Sequence, residues 1–214
     1  MNVNGAAALV TGANRGLGAA IAQALVESGA KVYGAARDIT TITSPDVIPV
    51  LLDVTSPDDI ANAARICGDV SIVVNNAGIG RSSTSLAPDS VDAARAELET
   101  NFFGPLRVAQ AFAPVRRENG GGALVNVLSV LSFVSMPQAA TYSASKAAAW
   151  SLTNALRMEL RRQGTLVVAV HAGFIDTDMA AGIDAEKISP QAVASQIVAA
   201  IEADAEEVLS GRRG

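Results

Sequence analysis

Ala6-Ala-Ala-Leu-Val-Thr11-Gly12-Ala-Asn14-Arg15-Gly16-Leu17-Gly18 is an apolar run that breaks into three glycines and leads directly into the stripe Leu17, Ile21, Ala24, Leu25. The run is too short for a helix and apolar at nearly every position, so it predicts a strand buried on both faces. The stripe has helical periodicity. Between the two, glycines at 12, 16 and 18 allow a sharp turn, a close backbone approach to a pyrophosphate and tight packing of helix on strand. The helix start then offers free N–H groups and a positive dipole end to phosphate oxygens. The spacing departs from the widespread G-x-G-x-x-G form, so the glycines alone are a weak signal.

The alternation continues outward from this unit. Lys31 to Ala36, Val47 to Asp53, Ser71 to Asn76, Gly122 to Leu128 and Leu166 to His171 read as further buried strands, with Glu207-Val-Leu209 as the last. Ile60, Ala63, Ala64 and Cys67 make one helical stripe; Val193, Ile197, Ala200 and Ile201 make another, with Ser189-Pro190 as its start. Strand and helix in strict alternation predict an α/β fold, a doubly wound parallel sheet with helices on both faces. Such sheets bind ligands at the carboxyl ends of their strands.

Composition bounds the rest. Half of the 214 residues are hydrophobic and 17% charged, which excludes disorder and predicts one core, with residues 1–214 as a single domain. Aromatics make up only 4%, so that core is expected to rest on Ala, Val, Leu and Ile. The net charge is -5 and no basic run is longer than a pair, which argues against nucleic acid or an anionic membrane as partner. Asn119 to Ser145 is uncharged, yet Asn126, Ser129, Ser132, Ser135, Pro137 and Gln138 are costly in hydrocarbon, so no membrane helix is expected there. No basic residue precedes the first apolar run, so no secretory signal is read. The single cysteine, Cys67, makes no internal disulfide, and a cytoplasmic location is expected. No metal site is expected, since His171 and Cys67 cannot assemble one unaided. Each reads as a packed core residue.

Two further segments carry chemistry. An acid at the end of the second strand would bond the 2′-hydroxyl of NAD and repel the 2′-phosphate of NADP. Lys31-Val-Tyr-Gly-Ala-Ala36-Arg37-Asp38 puts Ala36 at that place and Arg37 after it, while Arg15 stands in the glycine loop. Two guanidiniums favour NADP(H). NAD(H) stays open, because a shift of two in register would bring Asp38 to the ribose. Tyr142-Ser-Ala-Ser-Lys146 opens a helical segment reaching about Arg162. Positions i and i+4 share a face, so an ammonium stands near a phenol and is expected to lower its pKa toward the range of a general acid/base. Alone, such a pair is ordinarily a surface contact.

Asp53, Asn75-Asn76-Ala77-Gly78, Thr100-Asn101 and Ser129 fall in order between these segments. With Thr11-Gly12-x3-Gly16-x-Gly18 and Tyr142-x3-Lys146, they give the chain a pattern that resembles the short-chain dehydrogenase/reductase family in its compact, single-domain form. The likeness covers nearly the whole chain and implies a Rossmann-like sheet. It implies that Tyr142 is the proton donor or base, that Ser129 polarises the substrate oxygen, and that Lys146 binds the nicotinamide ribose. Asn101 resembles the residue that links the lysine to a proton relay. The cofactor contacts it implies are Gly12, Asn14, Arg15, Gly16, Leu17 and Gly18 in the first loop and Arg37 after the second strand. Asp53 with Val54 would hold the adenine, and Asn76, Ala77 and Gly78 would line the cofactor. Tyr142 and Lys146 contribute beside it, as do Gly173, Ile175 and Thr177 after the sixth strand.

The pattern is broken at Ala172, where the family usually has proline before Gly173. The expected substrate loop, about 178–189, is short. Ser82, Ser83, Thr84, Leu86, Phe133, Val134, Ser135 and Met136 are expected to line the substrate side, which suits a small or medium uncharged carbonyl or alcohol. The chain stops soon after its last strand, either as a minimal member or with a tail missing. Trp150, on the helix that pairs with its copy in the family's dimers, fits an interface or the core equally; a homodimer or homotetramer is expected. The activity implied is NADPH-dependent interconversion of a carbonyl and an alcohol. The alternative is a catalytically weak NADP(H)-sensing protein on the same fold.

Overall fold

The computed structural model describes residues 1–81 and 83–211; Ser82 and the Arg212-Arg213-Gly214 end lie outside the described residues. Seven strands form one parallel sheet: β1 (Ala7–Thr11), β2 (Lys31–Ala36), β3 (Val47–Leu51), β4 (Ile72–Asn75), β5 (Gly122–Val127), β6 (Thr165–Ala172) and β7 (Glu207–Ser210). Their spatial order is β3-β2-β1-β4-β5-β6-β7, so the strand order reverses between β1 and β4.

The two-residue period of the strands sorts their side chains into two cores. Ala8 and Val10 of β1, with Ala123 and Val125 of β5, pack under α1 (Gly16–Glu27) and α6 (Pro190–Glu202). Ala7, Leu9 and Leu124 point the other way, under α2 (Pro57–Ile66), α4 (Gly104–Glu118) and α5 (Ala140–Leu160). Side chains this small let helices sit close to the sheet, consistent with a chain so poor in aromatics. The helix starts follow local chemistry. Ser56 accepts from the Asp59 amide with Pro57 at the first turn, and Ser189 accepts from the Ala192 amide with Pro190 next to it.

Several boundaries differ from the sequence pattern, each for a polar reason. β3 stops at Leu51 rather than Asp53, because the Asp53 amide donates to the Asp59 carboxylate at 2.9 Å instead of to a strand. β4 stops at Asn75, since the Asn76 amide turns to the Thr11 hydroxyl. Asn101 does not lie in an ordinary α-helix. α3 (Ser90–Leu98) widens into a π-helical turn over Glu99–Phe103 before continuing as α4. Pro105 has no N–H to close the usual bond onto Asn101, and the Gly104 amide reaches back five residues to Glu99.

Among the described residues, no helix is long and apolar enough to cross a membrane. Nor does any group of three or more His, Cys, Asp or Glu there suit a metal ion. Cys67 is buried at the end of α2, where burial pushes its thiol up to about 12.

Candidate active site

The glycine loop is built for close approach. Gly12 and Gly16 have φ of +66° and +55°, which side chains resist. A Cβ at Gly18 would lie 2.0 Å from the Gly12 carbonyl oxygen, so only glycine lets the helix start pack on the loop. Thr11 and Asn76 knit this loop to the end of β4. The Thr11 hydroxyl accepts from the Asn76 and Ala77 amides, both at 3.0 Å, and the Asn76 carboxamide donates to the Thr11 and Gly12 carbonyls at 2.9 and 3.2 Å. Asn76 therefore spends its side chain shaping the loop. Leu17 likewise turns its side chain into the core beneath α1, leaving its backbone at the helix start, while Asn14 and Arg15 stand at the rim. A bare backbone, positive φ and a helix start free of side-chain caps make a cradle that fits a dinucleotide pyrophosphate.

At the adenosine end, β2 ends in buried Ala36 with exposed Arg37 immediately after it. Asp38 is tied down locally: its carboxylate accepts from the Thr40 amide and hydroxyl at 3.0 and 2.6 Å, which holds its pKa low. Asp53 accepts from the Thr55 amide and hydroxyl at 2.9 and 2.8 Å. Burial pushes its pKa up, but those bonds and the Arg37 charge bring it below the ordinary value. Val54 is buried against Gly104. Arg15 does not face Arg37; it pairs with Asp178 at 2.6 Å, bridging the glycine loop and the substrate loop. After β6, Gly173 donates to Ser210, Ile175 pairs with Ile188, and the Thr177 methyl lies opposite Gly16.

The chemical groups meet beyond the ends of β4 and β5. Ser129 leaves β5 in extended conformation, and its hydroxyl accepts from the Leu131 amide, capping the short turn Val130–Ser132. Tyr142 and Lys146 lie one turn apart on α5, with the Lys146 Nζ 5.7 Å from the phenol ring centroid and donating to the Val127 carbonyl at 2.8 Å. Asn101 accepts from the Ile79 amide and donates to the Ile79 carbonyl, both at 2.9 Å, and donates to Ser145 at 3.0 Å. Gly78 passes between Asn101 and Lys146, where a Cβ would come within 3.1 Å of the former.

Burial, countered by hydrogen bonding to Ser129 and aided by the Glu97 carboxylate, pushes the Tyr142 phenol up to about 12. This is the reverse of the direction expected from a neighbouring ammonium. The physical reason is desolvation of both groups, which also brings Lys146 down to about 8.

Glu97 enters the site without having been singled out in the sequence, and Thr11, quoted there only as part of the glycine motif, enters through its hydroxyl. Glu97 is fully buried, and one carboxylate oxygen accepts from the Arg81 amide at 2.7 Å. It lies one turn before Asn101, so the two side chains together pin the segment that runs past the Tyr142 ring. Its i−4 spacing from Asn101 was the available signal. On the substrate side, Phe133, Val134, Met136 and Met179 are exposed, while Ser83 turns inward to Asp89. Leu86 is 97% exposed and lines nothing.

Comparison with known proteins places the chain in a family and a fold. An uncharacterized oxidoreductase of Staphylococcus aureus (strain USA300) is 34% identical over 208 residues, spanning 91% of this chain and 90% of its own length. A short chain dehydrogenase from Burkholderia cenocepacia J2315, solved in complex with NADP, superposes with a TM-score of 0.95 at 40% identity, covering 99% of this chain and 90% of that one. A 3-ketoacyl-(acyl-carrier-protein) reductase from Brucella melitensis, solved with NADH, shares the fold at a TM-score of 0.88 and 24% identity, with 97% of each chain covered. Residues 6–188, which carry the glycine loop, Ser129, Tyr142 and Lys146 alike, match the short chain dehydrogenase family model, and the chain belongs to that family of oxidoreductases.

Proposed function

We propose that the protein interconverts a carbonyl and a primary or secondary alcohol with NADP(H), Tyr142 acting as general acid in reduction and general base in oxidation. The observation that carries this is convergence: Ser129 just after β5 hydrogen-bonds Tyr142 of α5, Lys146 lies one turn on, and Asn101 from the π turn and Lys146 flank Gly78, in the segment whose Ala77 packs on Gly12 of the cradle. Bound in that cradle, a nicotinamide cofactor supplies or accepts the hydride. The protein's own residues handle the oxygen and its proton. Tyr142, held near 12, keeps its proton at neutral pH and donates it as negative charge develops on a substrate oxygen. Ser129 donates a second hydrogen bond to the same oxygen. Lys146 supplies positive charge beneath the phenol, and Asn101 and Glu97 hold the segment packed on the ring.

Preference for NADP(H) is supported by Ala36 where an acid would read NAD, by Asp38 being engaged with Thr40, and by the exposed Arg37 next to that position. The structure similar to this one that was solved with NADP adds support. Exposed apolar side chains at Phe133, Val134 and Met136 suit an uncharged substrate of small or medium size.

The test is turnover of NADPH by the purified protein over a panel of aldehydes and ketones. Tyr142→Phe is expected to lower kcat/KM at least about a hundredfold while leaving NADPH affinity within about twofold. NADPH binding with no turnover of any carbonyl would favour a sensing protein, and full activity in Tyr142→Phe would remove the tyrosine mechanism.

A further inference from the structure

The ladder between β5 and β6 ends with the Leu128 amide donating to the Val170 carbonyl at 2.8 Å. Beyond it the chain leaves the sheet at Ser129, and the Ser129 carbonyl is met by a side chain, His171 Nδ1 at 3.3 Å. His171 is fully buried on β6. A carbonyl only accepts, so Nδ1 has to carry a proton there. The other ring nitrogen lies 3.0 Å from a Glu207 carboxylate oxygen on β7, and the second Glu207 oxygen pairs with Arg157 of α5 at 2.7 Å. Arg157 is itself anchored to the Val167 carbonyl at 3.1 Å. The ring faces are covered by Phe133, 4.1 Å away and tilted by 30°, and by Trp150 edge-on at 5.7 Å. Phe133 and Trp150 also touch each other, at 4.4 Å.

The ring is thus wedged by aromatics, with Nε2 beside Glu207 but not hydrogen-bonded to it, and its one aligned donor points at the main chain of the residue whose hydroxyl faces the substrate. We propose that His171 is a positioning residue: its Nδ1–H fixes the Ser129 main chain, and so the Ser129 hydroxyl relative to Tyr142, while its face supports Phe133 at the substrate wall. This role rests on the oxidoreductase reading given above. It assigns to His171 a task that packing alone does not need, because a phenylalanine would fill the same space without the donor.

The experiment compares His171→Phe with His171→Asn, each in the parent protein and in Ser129→Ala, using NADPH and the panel carbonyl that the parent reduces fastest. His171→Phe is expected to leave NADPH affinity within about twofold and lower kcat about tenfold or more, with a smaller change in KM. His171→Asn returns an N–H near the Nδ1 position and recovers most of the rate. In Ser129→Ala, His171→Phe costs less than about twofold, because the group it positions is gone. Unchanged kcat in His171→Phe, or an equal loss in both backgrounds, overturns the role. Should His171→Phe fail to fold, His171→Leu, which also lacks the donor, carries the same comparison: a loss confined to the parent supports the role, and equal effects in both backgrounds overturn it. A parent inactive on the whole panel overturns the carbonyl-reductase reading and this role with it, and an active parent unaffected by Ser129→Ala overturns the Ser129 role and this one while leaving that reading in place. Sensitivity to Ser129→Ala without sensitivity at His171 overturns this role alone.

Discussion

Tyr142 and Lys146 are a pair whose spacing was plain in the sequence and whose ionisation was not. An i, i+4 relation establishes adjacency on a helix, but the sign of a pKa shift depends on how much water is removed, which depends on Gly80 packing on the phenol ring and on Val127 meeting the ammonium. With Lys146 drawn down to about 8, its positive charge is present below that pH and lost as pH rises through it. Carbonyl reduction is therefore expected to hold level at neutral pH and fall above about pH 8, and Lys146→Arg, which keeps its charge, is expected to carry the falling limb upward by at least about one pH unit. A limb that stays in place in Lys146→Arg would assign it to another group. His171 marks a different boundary of sequence reading. Its strand pattern placed it in the core, where it is, but periodicity says nothing of the carbonyl and carboxylate that meet its two nitrogens across sheet and helix.

The strands were legible to within a residue or two, because a parallel sheet buried on both faces writes continuous apolar runs that end where polar pairing begins. Helices α1, α2, α5 and α6 were read as such, while the bounds of α3 and α4 were not. What escaped were features made by the absence of a group. The π turn follows from the N–H that Pro105 lacks, and it places Asn101 where both ends of its carboxamide are used. Arg116 is the converse, a charged group where the helix face allows none. It continues the stripe Val108, Phe112 on the buried side of α4, is fully buried, and none of its three side-chain nitrogens has a hydrogen-bond partner among the described residues. Burial draws it down to about 10, so it remains charged at neutral pH. An unpaired buried charge costs more than its stem contributes, so Arg116→Met is expected to stabilise the protein by about 1–3 kcal/mol. A thermal melt would show this as a rise of several degrees, and a fall would mean that the guanidinium has a partner in solution.

At the level of the whole molecule, the cradle and the chemical groups belong to different segments of chain, Thr11 to Gly18, Asn75 to Gly78, Ser129 and Tyr142 to Lys146, brought together by the sheet and by the side-chain bonds that knit its strand ends. Ligand binding and global stability are coupled for that reason. NADP at about a hundred times its Kd adds about 2.7 kcal/mol, or about 5–10 °C for a chain of this length. Arg37→Ala is expected to remove about a third to a half of that shift with NADP and none of it with NAD, read by melting in each cofactor. Equal losses with both would place Arg37 away from the 2′-phosphate. The strand order carries one more consequence. β1, the first strand to be synthesised, lies between β2 and β4, and Ala8 meets Ile72 only after two other strands and two helices have been made. Every pairing in the sheet closes a crossover rather than a hairpin, so non-local contacts have to form before any of them is rewarded. Until β4 is made, the nascent chain carries β1 with one apolar edge unpaired. Refolding is accordingly expected to be slow for the molecule's size and exposed to aggregation until β4 docks on β1.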